Sequence, residues 1–272
     1  MSTGPKQDPF EFRTAKYLEW YRDEPMVRRN GFIGKAVNVA ELPGFQQVKA
    51  NLPNPHWPKN PLAIQAYWKA WELGLRNTHK VEKDSKFIEN YIDAAFNGCI
   101  FLWDSVFILQ FGRYGRRAFD YQKTLDNFYA CQHKDGFICR EIRADGTDQW
   151  TRYDPASTGP QLFAWSEWEH YLQVKDTDRL RAVFPALAGY HDWMKLQRSW
   201  PDGSYWSTGL GCGMDNLHRL PASADQERDH GWMSWVDATY QALLDARSII
   251  KIAEVLGEDA TSFKQEAEAL SQ

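Results

Sequence analysis

An all-α fold is the class this sequence predicts, on two observations. Apolar residues recur at helical spacing in several segments, first as Ile64, Tyr67, Trp68, Trp71 and Leu75 within PLAIQAYWKAWELGLRN. Those segments alternate with long loops rich in glycine, aspartate and aromatic residues, at 134–159 and 199–216. Such alternation is what a barrel of paired helices looks like in sequence, and functional side chains gather on loops held by a rigid scaffold.

Taken in order, residues 1–60 are irregular. They hold Pro5, Pro9, Pro25, Pro43, Pro53, Pro55 and Pro58, and NLPNPHWPKNP admits no regular element. They read as an extension packed on the body, with Trp20, Tyr21, Phe32, Phe45 and Trp57 as apolar anchors. The main body, residues 61–272, opens with Pro61 in the first turn of a helix. Helices are expected at 104–114, 117–132 and 160–173. Another is expected to start at Pro185, because a first turn tolerates proline; its face is Leu187, Tyr190, His191 and Met194. The clearest spans 234–256, with Val236, Tyr240, Leu243, Ile250 and Ala253 on one side and Gly257 as its stop. A last helix begins within 259–272.

The 272 residues make one large domain or two small ones. With 32 Lys+Arg against 36 Asp+Glu, well mixed, the net charge of -4 argues against a partner bound by phosphate neutralisation, so no nucleic acid is expected. No apolar run approaches the roughly 18–20 residues of a membrane span. MSTGPKQDPFEFRTAKY lacks a hydrophobic signal core, so a cytoplasmic chain is the expectation. Cys99, Cys131, Cys139 and Cys212 lack zinc-knuckle spacing and are expected to be reduced thiols. No HExxH, CxxC pair, phosphate loop or GxSxG elbow occurs, so neither metal nor cofactor is expected. The aromatic content is the informative number: 13 Trp, 12 Tyr and 15 Phe exceed what a core alone demands. A carbohydrate site combines such aromatic platforms with carboxylates and amides.

Two segments carry a resemblance. FLWDSVFI (101–108) and GCGMDNLHR (211–219) resemble the (α/α)6-barrel glycosidases of glycoside hydrolase family 63, with the second motif the more specific. That group includes mannosylglycerate and glucosylglycerate hydrolases and processing α-glucosidases, with trehalases as distant relatives. The resemblance covers roughly residues 60–260. It implies a twelve-helix barrel, of which about seven helices are countable, and inverting hydrolysis of an α-linked glucoside or mannoside. Asp215 is then the general acid, the alternative being an Asx-turn or helix cap. Hydrolysis needs one protonated carboxyl and a second, ionised one to activate water. In the family the second is a late glutamate, expected past Gln272; Glu141 and Asp237 are the alternatives within the chain.

The resemblance also implies that Asp104 holds sugar hydroxyls, and a carboxylate at a helix start is equally suited to capping. Trp103 is a subsite wall or a core residue. Arg140 offers a planar fork to substrate or pairs with Glu141. Trp206 is the expected stacking platform, while Asn216 and Arg219 orient Asp215 or touch substrate. His218 stands where the family has proline, which bears on the aim of Arg219. A non-catalytic carbohydrate-binding remnant is the competing reading. A terpene cyclase would need DDxxD, which is absent. The chain alone is expected to bind monosaccharides weakly without turnover. Its late apolar face, Ile249, Ile250, Ile252, Ala253, Val255 and Leu256, is expected to be left partly bare, favouring self-association or a missing C-terminal half.

Overall fold

A computed structural model describes residues 23–94, 96–214 and 216–272. Seven helices of seven residues or more lie among them. α1 (Pro61–Arg76) has Pro61 in its first turn, and Asn60 caps it by accepting from the Ala63 N–H at 3.1 Å. Trp71, Gly74 and Leu75 form its buried side, on the expected face. Two residues on, β1 (Thr78–His79) pairs antiparallel with β2 (Tyr91–Ile92). β3 (Cys99–Phe101) runs directly into α2 (Leu102–Gly112), two residues earlier than the spacing predicts.

The expected helix at 117–132 is corrected: only α3 (Thr124–Ala130) is α-helical. Residues 113–123 instead contain two tight 3₁₀ turns, Arg113–Gly115 and Tyr121–Lys123. The fully buried Tyr121 ring lies against Gly112 and edge-on to Phe119, at 4.9 Å between centroids. Packing that ring into the core outweighs continuing the helical ladder. After α3, β4 (Glu141–Arg143) pairs with β3 in the register Cys99↔Arg143, Ile100↔Ile142 and Phe101↔Glu141.

α4 (Phe163–Val174) is followed by α5 (Thr177–Arg198), which begins eight residues before Pro185 rather than at it. Asp176 caps its start, accepting from the Arg179 N–H at 2.9 Å. Proline inside a helix costs about 3 kcal/mol. Here Val183, Phe184, Ala186 and Leu187 are buried on both sides of it, which more than offsets that cost.

α6 (Val236–Leu256) packs on α4, α5 and α7 (Thr261–Ala269), and ends at Gly257 with φ 71°, a left-handed stop. Its buried side carries Ala242, Leu243, Ala246, Ile249, Ile252 and Ala253. Two expectations are corrected here. Val236 and Tyr240 point to solvent, each 66% exposed. Of the six residues expected to be partly bare, Ile249, Ile252 and Ala253 are fully buried, while Ile250 and Leu256 are half-buried and Val255 is exposed. α7 supplies the cover, through Phe263 and Ala267.

In the N-terminal stretch, Asn30 is buried and donates to the Tyr129 carbonyl at 2.9 Å and to Gln132 Oε1 at 2.8 Å. Phe32 packs on the Tyr129 ring at 5.5 Å. Phe45 contacts Trp68, while Trp57 is 57% exposed. Trp20 and Tyr21 lie outside the described residues. Among those described, no helix is long and apolar enough to cross a membrane.

Candidate active site

The junction of β3 and α2 sets the site. Because β3 pairs with β4 in a fixed register, the start of α2 is held beside residues 140–141, and the Leu102 N–H donates to the Arg140 carbonyl at 2.8 Å. Trp103 and Asp104, in the first turn of α2, thereby share a cavity of about 380 Å³ with Arg140 and Glu141. Leu210 and Gly213 close it from the third side.

The closing segment is a single helical turn, Gly209–Cys212, capped by Thr208, whose hydroxyl accepts from the Gly211 N–H at 3.0 Å. Gly213 follows with φ 74°, and a Cβ there would stand 2.8 Å from the Trp103 indole. Only glycine permits both this backbone and this approach. Gly213→Ala is therefore expected to push Trp103 out of the cavity wall. A changed Trp fluorescence and at least a severalfold loss of sugar affinity would show it, and an unchanged spectrum with full affinity would contradict it.

Asp104 is half-buried, and burial pushes its carboxyl above the usual range, with the neighbouring Glu141 charge adding to the rise. Its own backbone N–H and the Arg140 guanidinium oppose the rise. Arg140 donates through Nε to the Ala156 carbonyl at 2.6 Å and stacks on Trp150 at 5.0 Å. Its terminal nitrogen is 3.6 Å from Glu141. Glu141 is buried with both oxygens bonded: Oε1 accepts from Asn97 Nδ2 at 2.7 Å and Oε2 from Trp150 Nε1 at 2.6 Å. Those bonds brace it in the cavity wall. Asp237 is engaged too, 2.9 Å from Arg219, and does not line the cavity.

Of the residues singled out in the sequence, Trp103, Asp104 and Arg140 meet in this cavity. Trp206, Asn216 and Arg219 do not line it. Trp206 lies 4.7 Å from the Arg198 guanidinium and 4.8 Å from the His230 ring. Arg219 stacks on Trp235 at 4.7 Å while pairing with Asp237, and Asn216 is exposed. Asp215, two residues past Gly213, lies outside the described residues.

Sequence reasoning missed Asn97, Gln149 and Trp150. Trp150 is central, with the guanidinium groups of Arg140 and, at 5.3 Å, Arg228 against its ring. The one available signal was Asp145-Gly146, a hairpin dipeptide. That turn, closed by the Arg143 N–H on the Thr147 carbonyl at 2.9 Å, folds Gln149 back to donate to the Glu141 carbonyl at 3.0 Å. Among the described residues, no group of three or more His, Cys, Asp or Glu could hold a metal ion.

No curated protein matches the chain. Several solved structures do. A GH63 mannosylglycerate hydrolase from Thermus thermophilus, in complex with glucose, superposes with a TM-score of 0.56 at 20% identity, over 74% of this chain and 61% of that one. A form of that hydrolase in complex with Tris and D-glycerate gives 0.51 at 19%, over 74% and 62%. An uncharacterized conserved protein from the same organism gives 0.55 at 22%, over 74% and 60%. The chain thus spans about three-fifths of the length of these structures. The likeness establishes an all-α fold of the (α/α)6 type, with fewer helices than a complete barrel. The family profile of the mannosylglycerate hydrolase MGH1-like glycoside hydrolase domain matches residues 99–272, from β3 through the cavity to the last helix, and the chain belongs to that family.

Proposed function

We propose that the chain carries the sugar-binding and acid side of a glycosidase, which cleaves an α-linked glucoside or mannoside with inversion. Residues 61–272 belong to the catalytic domain in this reading, and residues 1–60 form an extension packed on it. The observation that carries it is the convergence of Trp103, Asp104, Arg140 and the Gly213 turn on one cavity. An indole offers a flat face to sugar C–H groups, and the carboxylate and guanidinium address hydroxyls. Asp215 is the general acid on the turn's continuation. Glu141 and Asp237 are bound to other side chains, so the general base is assigned outside the described residues. In an inverting site it would stand about 6.5–9.5 Å from the acid. Glycerate, which the Thermus hydrolase binds, is a fitting aglycone to test.

Titration with methyl α-D-mannopyranoside and methyl α-D-glucopyranoside tests the cavity directly. Hydrogen bonds to charged groups contribute about 1.5–3 kcal/mol, so Asp104→Asn should weaken the preferred sugar about 10- to 100-fold. Equal affinity for wild type and variant would remove Asp104 from the site.

A further inference from the structure

A second aromatic group lies outside the cavity. The rings of Trp200, Trp206 and Trp232 surround that of His230, at 5.6, 4.8 and 4.9 Å between centroids. Trp232 is 82% exposed and has φ 55°, a left-handed backbone that bulky side chains rarely adopt. Neighbouring bonds fix it there. Its N–H donates to His230 Nδ1 at 3.0 Å, Trp200 Nε1 donates to the Met233 carbonyl at 3.0 Å, and Trp235 Nε1 donates to the His230 carbonyl at 3.0 Å. The indole is thus held out in solvent by a loop braced on both sides.

The bond to Nδ1 places the imidazole proton on Nε2. Burial, with Arg198 nearby, lowers the His230 pKa and keeps this neutral form. The Nε2–H has no partner among the described residues, so a donor stands ready among three indoles.

The group is tied to the cavity. The Leu210 N–H donates to the Glu227 carbonyl at 3.0 Å, and Arg228 covers Trp150; both Leu210 and Trp150 are cavity walls. Trp232 lies four positions beyond Arg228, a reach of at most about 14 Å. We propose that Trp232, Trp200 and His230 form a platform for a second sugar ring, belonging to a carbohydrate whose first ring sits in the cavity. The ring's C–H face lies on the Trp232 indole, and a hydroxyl accepts from His230 Nε2. The platform rests on the reading of the cavity as a sugar site.

The test titrates wild type, Trp232→Ala, Trp232→Phe and Asp104→Asn with methyl α-D-mannopyranoside, α-mannotriose and maltotriose, following ligand signals by NMR. Wild type should bind one trisaccharide more tightly than the monosaccharide. Trp232→Ala should weaken that trisaccharide about fivefold, the scale of one aromatic contact, and Trp232→Phe should recover most of the loss. Asp104→Asn should weaken both lengths. A trisaccharide bound no better than the monosaccharide, or untouched by Trp232→Ala, overturns the platform. If Trp232→Ala weakens the trisaccharide while Asp104→Asn changes neither length, Trp232 still holds a sugar ring, but the cavity reading falls and the link to a first ring there falls with it.

Discussion

Replacing His191 with leucine is expected to cost about 3–5 kcal/mol of stability, the penalty for removing one partner of a buried ion pair. His191 is fully buried in α5. Its Nδ1 lies 2.9 Å from Asp245 on α6 and its Nε2 lies 3.2 Å from Glu266 on α7. Lys195, 2.8 Å away, and the Tyr205 hydroxyl complete the bonds to Glu266. Burial alone would lower the His191 pKa, but the two carboxylates raise it to about 9. The imidazolium therefore joins three helices. Burial pushes Asp245 up against the pull of His191, while Glu266 falls to about 2 because its partners outweigh its burial.

The pH dependence follows from these directions. A raised His191 pKa contributes stability that is complete below its ordinary value of about 6.5 and fades as pH rises through about 9. A lowered Glu266 pKa contributes stability that is complete above 4.5 and fades as pH falls through about 2. In thermal melts, the contribution of His191, read as wild type against His191→Leu, should thus be intact near pH 6 and decline above it, by about 3 kcal/mol once His191 is neutral. Near pH 6, His191→Leu should lower Tm by on the order of 10 °C. It should also remove this share of the alkaline decline, which separates loss of the charge from mere loss of packing. A variant within about 1 kcal/mol of wild type would mean that the three helices hold without the imidazolium.

How far the sequence could be read varied by element for physical reasons. α1 and α6 were legible because apolar periodicity, Pro61, and Gly257 agree on their bodies and ends. The start of α5 was not, because proline signals a boundary locally and only the burial of its neighbours carries the helix through. Which edge of α6 is covered was also illegible. Periodicity defines a stripe, but the packing of α4, α5 and α7 around α6 decides that Ile249 is buried and Val236 is not. Of the residues singled out in or near the WDS and GMDN segments, Trp103, Asp104 and Arg140 meet in one cavity. The bracing of Glu141 by Asn97, 44 residues away, had no local signal. Trp206 was expected at the cavity, yet the Ser199–Tyr205 bridge sets it against Arg198 and His230 instead.

Asp215→Asn carries the largest catalytic effect. General acid catalysis contributes about 10²–10⁴-fold, and an amide cannot protonate a departing glycosidic oxygen. The loss should be full for alkyl aglycones such as glycerate, whose alkoxide leaves poorly without a proton. It should be small for a dinitrophenyl glycoside, whose phenolate departs unaided. Folding and sugar affinity should be preserved, since the cavity walls are built by Trp103, Asp104, Arg140 and Gly213. The central claim is that this chain supplies the binding cavity and the acid of a glycosidase. The most direct measurement follows hydrolysis of α-mannosylglycerate and of dinitrophenyl α-mannoside by wild type and Asp215→Asn, with the first-formed anomer read by NMR. Where wild type turns over, β-mannose is the expected first product, with a loss of about 10²–10⁴-fold on the glycerate substrate and near-normal release of dinitrophenolate by the variant. Sugar binding without turnover by wild type is the expected result where the general base is not supplied. An Asp215→Asn variant as active as wild type on α-mannosylglycerate, or a wild type that binds no sugar, would contradict the claim.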